Sequence, residues 1–209
     1  AIRYIDAISS TLRQELKRDD DVIVLGEDVS YGGPFGATAG LSDMFGPTRI
    51  VDTPISEGAV MGLAVGAALA GRRPVVEVMF ADFITLAIDQ LINHAAKLRY
   101  MTDGQLSVPL TIRVQGGVGG GYGAHHSQSL EAWFLHVPGL KVVAPCSVDD
   151  ASGLLAAAIR DDDPVVYLEH RGLYWSKGSI MSHVDPATIG LAAVVRPGAD
   201  VTVVAVSRM

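Results

Sequence analysis

Cysteine is almost absent from this sequence: Cys146 is the only one among 209 residues. A disulfide within the chain is therefore excluded, and a reducing compartment fits this composition. Basic residues are also few, since 16 lysines and arginines stand against 23 acidic residues and give a formal net charge of -7. Because there is no basic run or stripe, nucleic acid is not expected as a partner.

Long hydrophobic runs are missing as well. The longest, residues 59–70, is too short to cross a bilayer and is rich in glycine and alanine. The first ten residues, AIRYIDAISS, lack the charged and then apolar layout of a signal peptide. Hydrophobic residues nevertheless make up 49% of the chain, which is ample for a sizeable core. We expect a soluble cytoplasmic protein that does not contact a membrane.

Short apolar segments alternate with helical patterns along the chain. These segments are β-branched and apolar on both faces, which is typical of strands buried in a parallel sheet. The sequence therefore predicts an α/β fold with a parallel sheet covered by helices on both faces. The predicted strands are about residues 22–25, 49–51, 74–79, 108–114, 141–144 and 165–168, and the predicted helices are about 4–18, 57–71, 83–100, 129–137 and 148–160.

Two segments are predicted to lack regular structure. Residues 29–47 are rich in glycine and should form a long surface loop. Residues 174–198 contain several turn residues and little periodicity, and residues 200–206 then read as one more strand. We therefore expect a first domain over residues 1–185, and over 186–209 a linker and the first strand of a carboxy-terminal domain that is missing from this chain.

One carboxylate stands at the start of an apolar helix. Pro54 biases Thr53 towards an extended conformation, and Ser56 is a natural N-cap for the helix that follows. That helix begins with Glu57 and is apolar on every side, so it is predicted to be buried. Burying the Glu57 carboxylate is costly unless a ligand uses it. The alternative is a carboxylate held only by the helix dipole, which favours the charged form while burial favours the neutral one.

Other polar and aromatic residues also follow predicted strand ends. Because ligands bind at the carboxyl ends of parallel strands, Glu57, Phe83 and His126 can lie along one edge of the sheet. His126 follows a glycine cluster at residues 116–123, and histidine suits general acid–base catalysis near neutral pH. The alternative for this histidine is a surface loop without a role. Met79 and Phe83 fit either the core or the lining of an apolar pocket.

The glycine cluster also permits a different interpretation. Gly119-x-Gly121-x-x-Ala124 matches the dinucleotide-binding fingerprint and follows a strand. No long helix opens there, however, and the next strand ends without an acidic residue, so nicotinamide dinucleotide binding ranks second. The aspartates at 161–163 are most simply a solvated helix end, although acidic groups there oppose the helix dipole and a bound cation would offset that cost.

Several long motifs occur in one order along nearly the whole chain, which is more specific than any single motif. They are Leu25-Gly26-Glu27-Asp28-Val29, Asp52-Thr53-Pro54-Ile55-Ser56-Glu57, Arg73-Pro74-Val75, Ala87-Ile88-Asp89-Gln90, His126-Ser127-Gln128, Pro138-Gly139-Leu140-Lys141-Val142-Val143 and Ala158-Ile159-Arg160-Asp161. In this order they resemble the beta subunit of the thiamine-diphosphate-dependent 2-oxoacid dehydrogenases, the decarboxylating first component of those complexes.

The resemblance implies a transketolase-like pyrimidine-binding domain and assigns roles to individual residues. Glu57 matches the glutamate that hydrogen-bonds the aminopyrimidine ring of thiamine diphosphate and activates the cofactor. Met79 and Phe83 match residues that pack around the pyrimidine. His126 matches a histidine that handles protons and aids acylation of the lipoyl arm. A structural potassium site is implied at Leu110, Ala158, Ile159, Asp161 and Asp163.

The resemblance also implies partners for this chain. An alpha subunit would complete a heterotetramer of two alpha and two beta chains and would hold magnesium with the diphosphate. The helix after Glu57, with Gly58, Gly62 and Gly66 four residues apart, would pack against that subunit. A lipoyl acyltransferase core would accept the acyl group from a 2-oxoacid whose identity stays open. The alternatives are a split transketolase-like or acyloin-forming enzyme and a non-catalytic partner-binding domain.

Overall fold

The protein, described by a computed structural model over residues 1–179 and 185–209, is built on a six-stranded parallel sheet. The strands of this sheet are β2 (Val22–Gly26), β3 (Ile50–Asp52), β4 (Arg73–Val78), β5 (Thr111–Gly116), β6 (Lys141–Val143) and β7 (Val165–His170). The strand order across the sheet is β3-β2-β4-β5-β7-β6, and every neighbouring pair runs parallel. The predicted fold class is confirmed.

Helices cover both faces of the sheet and divide the core in two. The α-helices are α1 (Tyr4–Arg18), α2 (Leu41–Phe45), α3 (Glu57–Leu69), α4 (Ala96–Met101), α5 (Glu131–Leu135) and α6 (Val148–Arg160). On one face α1 packs against α6, and on the other α3 packs against the helical segment that follows β4. The short α2 lies within the predicted long loop, where Leu41 is fully buried.

The two helices on the first face form as their sequences predict. Ile5, Ile8 and Leu12 recur at helical spacing on α1 and are buried. At the start of α6 the Ser147 hydroxyl accepts a hydrogen bond from the backbone N–H of Asp150 at 3.0 Å, so the predicted cap is confirmed. Ser56 occupies the equivalent position before α3, but among the described contacts its side chain makes no capping hydrogen bond.

The prediction that α3 is buried on every side is wrong for one of its faces. Val60, Met61 and Ala64 are buried against the sheet, whereas Leu63 is 56% exposed and Leu69 is also exposed. The sequence is apolar around the whole helix, but the sheet can cover only the side that it touches. An exposed apolar face is therefore left on this helix.

The predicted helix at 83–100 is helical throughout but is not a regular α-helix. It begins as a 3-10 helix at Ala81–Ala87, widens to a π-helix at Gln90–Ala95 and ends as α4. Changes in winding of one or two turns keep the same apolar stripe, so the sequence pattern does not reveal them.

The carboxy-terminal part of the chain differs from the prediction. Residues 200–206 form no strand and are exposed. No described strand lies beside them to supply the hydrogen bonds of a ladder. A two-stranded antiparallel ribbon of β1 (Ile2–Arg3) and β8 (Lys177–Gly178) was not predicted, since two-residue strands carry no period. Residues 180–184 of the predicted linker lie outside the described residues. In the ranges given above, no helix is both long and apolar enough to span a membrane.

Candidate active site

The predicted catalytic and cofactor-binding residues gather at one edge of the sheet. All six strands run parallel, so their carboxyl ends meet at the same edge. Glu57 begins α3 just after β3, and Met79 directly follows β4. Phe83 lies in the 3-10 helix after β4, and His126 lies beyond β5 in a second 3-10 turn, Ala124–His126. The prediction that these residues share an edge is confirmed.

Glu57 and Met79 line the same cleft, which has a volume of about 20 Å³. Within the described part of the chain, no group hydrogen-bonds the half-buried Glu57 carboxylate. The Thr53 hydroxyl in the same cleft is buried and has no partner among the described residues. A free carboxylate and an orphaned hydroxyl in one cleft fit a ligand that carries nitrogen donors and acceptors. The other lining residues are Gly26, Glu27, Pro54, Ile55, Ser56, Val60, Glu77 and Val78.

A second acidic residue, Glu27, lines the same cleft as Glu57. Burial raises the pKa of Glu27, and the nearby Asp28 and Glu57 carboxylates raise it further. Like charges that crowd a partly desolvated cleft favour binding of a group able to share or donate a proton. Glu27 was not predicted as a site residue, although it stands at a strand end inside one of the matched motifs.

Aromatic rings surround His126 on the other side of the same edge. The Phe80 and His126 ring centroids are 4.5 Å apart and nearly perpendicular, and those of Phe83 and His126 are 5.4 Å apart. Phe80 also packs edge-on against Phe83 at 5.6 Å. These contacts restrict the orientation of the imidazole ring. The structure therefore brings Phe83 together with His126, whereas Met79 lies beside Glu57.

A buried ionic trio lies behind the cleft. The Arg113 guanidinium donates to a Glu77 oxygen at 2.5 Å and to both Glu169 oxygens at 2.7 and 3.1 Å. The Tyr174 hydroxyl donates to Glu169 at 2.6 Å. Burial raises the pKa of Glu77 despite the opposing effect of Arg113, whereas burial lowers the pKa of Arg113 but the two carboxylates outweigh it. Glu77 also lines the cleft that contains Glu57, so the trio supports that wall.

Comparison with known proteins identifies the domain. The sequence profile described as "Transketolase, pyrimidine binding domain" matches residues 1–176. The chain belongs to this family. Two solved structures agree on the fold of the pyrimidine-binding domain. A split-gene transketolase, titled as an inactive beta4 tetramer, gives a TM-score of 0.78 at 22% identity over 100% of this chain and 64% of that one. A Pichia stipitis transketolase gives a TM-score of 0.65 at 18% identity over 82% of this chain and 26% of that one.

Curated proteins similar to this pyrimidine-binding domain are beta subunits of 2-oxoacid dehydrogenases. Pyruvate dehydrogenase E1 component subunit beta-2 of Oryza sativa subsp. japonica, a mitochondrial protein, is 48% identical over 209 residues. The 2-oxoisovalerate dehydrogenase subunit beta of Bacillus subtilis is 48% identical over 204 residues. The matches cover 98% and 96% of this chain, which spans 56% and 62% of the length of those relatives.

The residues proposed for potassium lie together in the pyrimidine-binding domain, at the amino-terminal edge of the sheet. The carbonyl oxygens of Ile159 and Asp161 accept hydrogen bonds from the Arg73 guanidinium at 2.9 and 2.7 Å. Those of Leu110 and Ala158 accept from the backbone N–H groups of Val165 and Asp161. The Asp161 carboxylate binds Lys141, and that of Asp163 binds Arg99 and Lys141. Three basic side chains thus already supply positive charge here, and the potassium assignment stays a prediction.

Proposed function

We propose that this chain provides the pyrimidine half of a thiamine diphosphate site in a 2-oxoacid dehydrogenase, as the beta subunit beside an alpha subunit. The observation that carries the proposal is the Glu57 carboxylate, which stands in a strand-end cleft without a hydrogen-bond partner among the described residues. The similarity to pyruvate and 2-oxoisovalerate dehydrogenase beta subunits supports the reaction class.

Glu57 is proposed to hold a proton at the ring nitrogen of the aminopyrimidine. Bound thiamine diphosphate would supply the nucleophilic carbon and the electron sink that decarboxylation of a 2-oxoacid requires. The Thr53 hydroxyl is a further polar group available to the ligand in the same cleft. Met79 offers a polarisable thioether at the cleft wall, which suits packing on an aromatic ring.

His126 is proposed to move a proton to or from the acyl acceptor. Its ring is oriented by Phe80 and Phe83, and it lies at the same strand-end edge as Glu57. A lipoyl group carried by an acyltransferase core is the proposed acceptor. The same geometry would serve an aldehyde acceptor in an acyloin-forming enzyme, so the acceptor has to be settled by assay.

The experiment that tests the proposal uses the beta chain co-expressed with its alpha subunit. We expect release of CO2 from 2-oxoacids that depends on thiamine diphosphate, together with acylation of a lipoyl domain. Transfer to an aldehyde with no transfer to the lipoyl domain would replace the proposal with the acyloin-forming alternative. Absence of CO2 release from an assembled, cofactor-loaded complex would leave the transketolase-like and the partner-binding alternatives.

The exposed apolar face of α3 is the proposed contact for the alpha subunit. Leu63 projects from this face, and a side chain added at Gly66 beside it would meet open space, so a partner helix can approach closely there. The predicted contact of Gly58 and Gly62 with that subunit has no such support, because their open sides face Leu86 and Gln90 of this chain. Replacing Leu63 with aspartate should weaken assembly with the alpha subunit by at least roughly tenfold, because it places a charge in an apolar interface. The stability of the chain itself should change little, since Leu63 is exposed. Titration of one subunit with the other, followed by analytical ultracentrifugation, measures the effect.

The matched control for this prediction is Leu106→Asp. Leu106 is another exposed leucine, in the connection that leads into the amino end of β5 and away from α3. Assembly that is equally weakened by both substitutions, or by neither, would contradict the proposed interface. Magnesium held by the alpha subunit, potassium and a cytoplasmic location remain predictions.

A further inference from the structure

A buried arginine, Arg171, lies at the same sheet edge as His126. It is the first residue after β7 and only 6% of it is exposed. Its Nη2 donates to the carbonyl oxygen of Gly117 at 2.9 Å and also to the carbonyl oxygen of His126. The guanidinium stacks between two rings, with its carbon 4.5 Å from the Tyr122 centroid and 5.2 Å from the Phe80 centroid.

This arrangement is costly for folding stability. A buried guanidinium normally pairs with a carboxylate, yet no described residue forms an ion pair with Arg171. Its Nε and Nη1 donors are also buried and lack partners among the described residues. Two carbonyl oxygens and two aromatic faces compensate only part of the lost hydration. Features that break the usual rules of polar burial concentrate at functional sites.

The contacts of Arg171 tie together both ends of the glycine-rich loop. Gly117 begins this loop and His126 closes the turn that ends it. Between them Gly119, Gly121 and Gly123 adopt positive φ angles of 113°, 69° and 79°, so this backbone has few steric restraints of its own. One Arg171 nitrogen bonded to both end carbonyls therefore supplies a restraint that the glycines cannot.

Arg171 also acts on the His126 ring through an aromatic neighbour. The guanidinium stacks on Phe80, and the Phe80 ring in turn lies 4.5 Å from the His126 ring. The backbone of His126 and the orientation of its imidazole thus both depend on Arg171. The Arg171 side chain itself reaches the loop backbone and the rings, so its effect on a reaction would pass through His126.

We propose that Arg171 is a positioning residue that closes the loop at 117–126 and fixes His126 for transfer of the acyl group to the acceptor. The inference rests on the proposed function, because it presumes that His126 serves the acyl acceptor. It assigns to Arg171 the steps that need His126 and leaves cofactor activation to Glu57.

The test uses Arg171→Met and Arg171→Lys in the beta chain, each assembled with the alpha subunit. We expect Arg171→Met to lower kcat for acylation of a lipoyl domain by roughly 10- to 100-fold, since small misplacements of catalytic groups have effects of this size. Decarboxylation measured with an artificial electron acceptor and KM for the 2-oxoacid should change far less. Lysine keeps the cation and can donate to the carbonyls, but it lacks the planar group that stacks on Phe80 and Tyr122, so Arg171→Lys should recover only part of the activity.

Hydrogen–deuterium exchange of the same samples gives a readout independent of activity. Amides between residues 117 and 126 should exchange faster in Arg171→Met, and those in β5 should not. Arg3→Met is the matched control, because Arg3 also stacks on a ring, that of Trp175 at 5.2 Å, but is exposed and bound to Asp6. It should leave both acyl transfer and loop exchange unchanged.

The outcomes separate this inference from the function on which it rests. If the wild-type complex releases no CO2, the proposed function is wrong, and loop exchange still decides whether Arg171 restrains the loop. Wild-type acyl transfer in Arg171→Met would overturn the inference. So would equal losses of decarboxylation and acyl transfer, or lost transfer with unchanged loop exchange, since neither pattern is that of a residue acting through His126.

Discussion

Replacement of Glu57 with glutamine is expected to lower 2-oxoacid decarboxylation by roughly 10²- to 10⁴-fold, the range found when a general acid–base group is removed. Glutamine has nearly the same shape and keeps a hydrogen-bonding side chain, but it cannot take up and return a proton. The loss should therefore appear in kcat for CO2 release by the assembled complex. Binding of thiamine diphosphate, measured by titration, should weaken much less.

The position of Glu57 explains why the effect should be specific. The carboxylate stands at the first turn of α3 in a cleft that Glu27 and Glu77 also line. Its hydrogen-bonding capacity is not used by described protein groups, so it is available to a ligand. The glutamine amide would fill the same space as the Glu57 carboxylate. A change in the shape of the cleft would therefore not explain lost activity.

Asp28→Asn is the matched control for Glu57→Gln. It removes one negative charge close to the same cleft, from an exposed side chain. Asp28 adopts a φ angle of 55°, a left-handed conformation that asparagine tolerates well. Activity should stay within about threefold of the wild type, as expected for an exposed charge away from the reacting atoms. Decarboxylation at the normal rate in Glu57→Gln would show that the assignment of Glu57 is wrong.

Much of the site follows from order along the chain. Glu57 and His126 each follow an apolar strand, and parallel strands place such residues at one edge. That argument needs only the alternation of strands and helices and holds without knowledge of exact boundaries. It does not predict which of these residues contact one another at the edge. The structure divides them into a cleft with Glu57 and Met79 and an aromatic cluster around His126 and Phe83.

Other parts of the site depend on contacts that the sequence pattern does not encode. Arg171 is one charged residue after a strand, and only its burial between Phe80 and Tyr122 distinguishes it from a solvated arginine. The apolar composition of α3 predicts burial, yet Leu63 is exposed because composition does not say which face meets this chain's own sheet. For 200–206, strand propensity is high, but a strand also requires a neighbour.

The three charged residues of the ionic trio are recognisable in the sequence, but strand assignment alone does not predict that they pair. Glu77, Arg113 and Glu169 are charged residues that stand among the buried residues of β4, β5 and β7. Those strands are neighbours, and Glu77 is directly opposite Arg113 in the sheet register. Charges of opposite sign in adjacent buried strands predict a cross-strand ion pair. This inference becomes available only once the strand order is known.

Substitution of Arg113 by methionine should destabilise the chain by about 3 to 5 kcal/mol at neutral pH, the cost of breaking a buried ion pair. Arg113 is 3% exposed and is the cation that faces both Glu77 and Glu169. Methionine fills a similar volume, so a cavity contributes little. The cost arises because two buried carboxylates lose their positive partner. Urea denaturation of the variant and the wild type measures the difference.

The control for Arg113→Met is Arg3→Met, which breaks the exposed ion pair with Asp6. An exposed pair is screened by solvent and contributes little to stability, so the two variants should differ clearly. A loss of similar size in both would indicate that the trio does not carry the stability assigned to it.

The destabilisation caused by Arg113→Met should also depend on pH, and its direction is fixed by the carboxylates. Burial already raises the pKa of Glu77 in the presence of Arg113, and removing that cation removes the main opposing influence. An acid whose pKa is higher in the folded state favours folding below its unfolded pKa and loses that contribution as the pH rises through the folded pKa. The stability difference between the variant and the wild type should therefore be smallest near pH 4 and grow towards neutral pH, reaching about 3 to 5 kcal/mol there. If the stability difference between Arg113→Met and the wild type stayed constant from pH 4 to neutral pH, the destabilisation would come from packing. The charges of Glu77 and Glu169 behind the Glu57 cleft would then be compensated by groups other than Arg113.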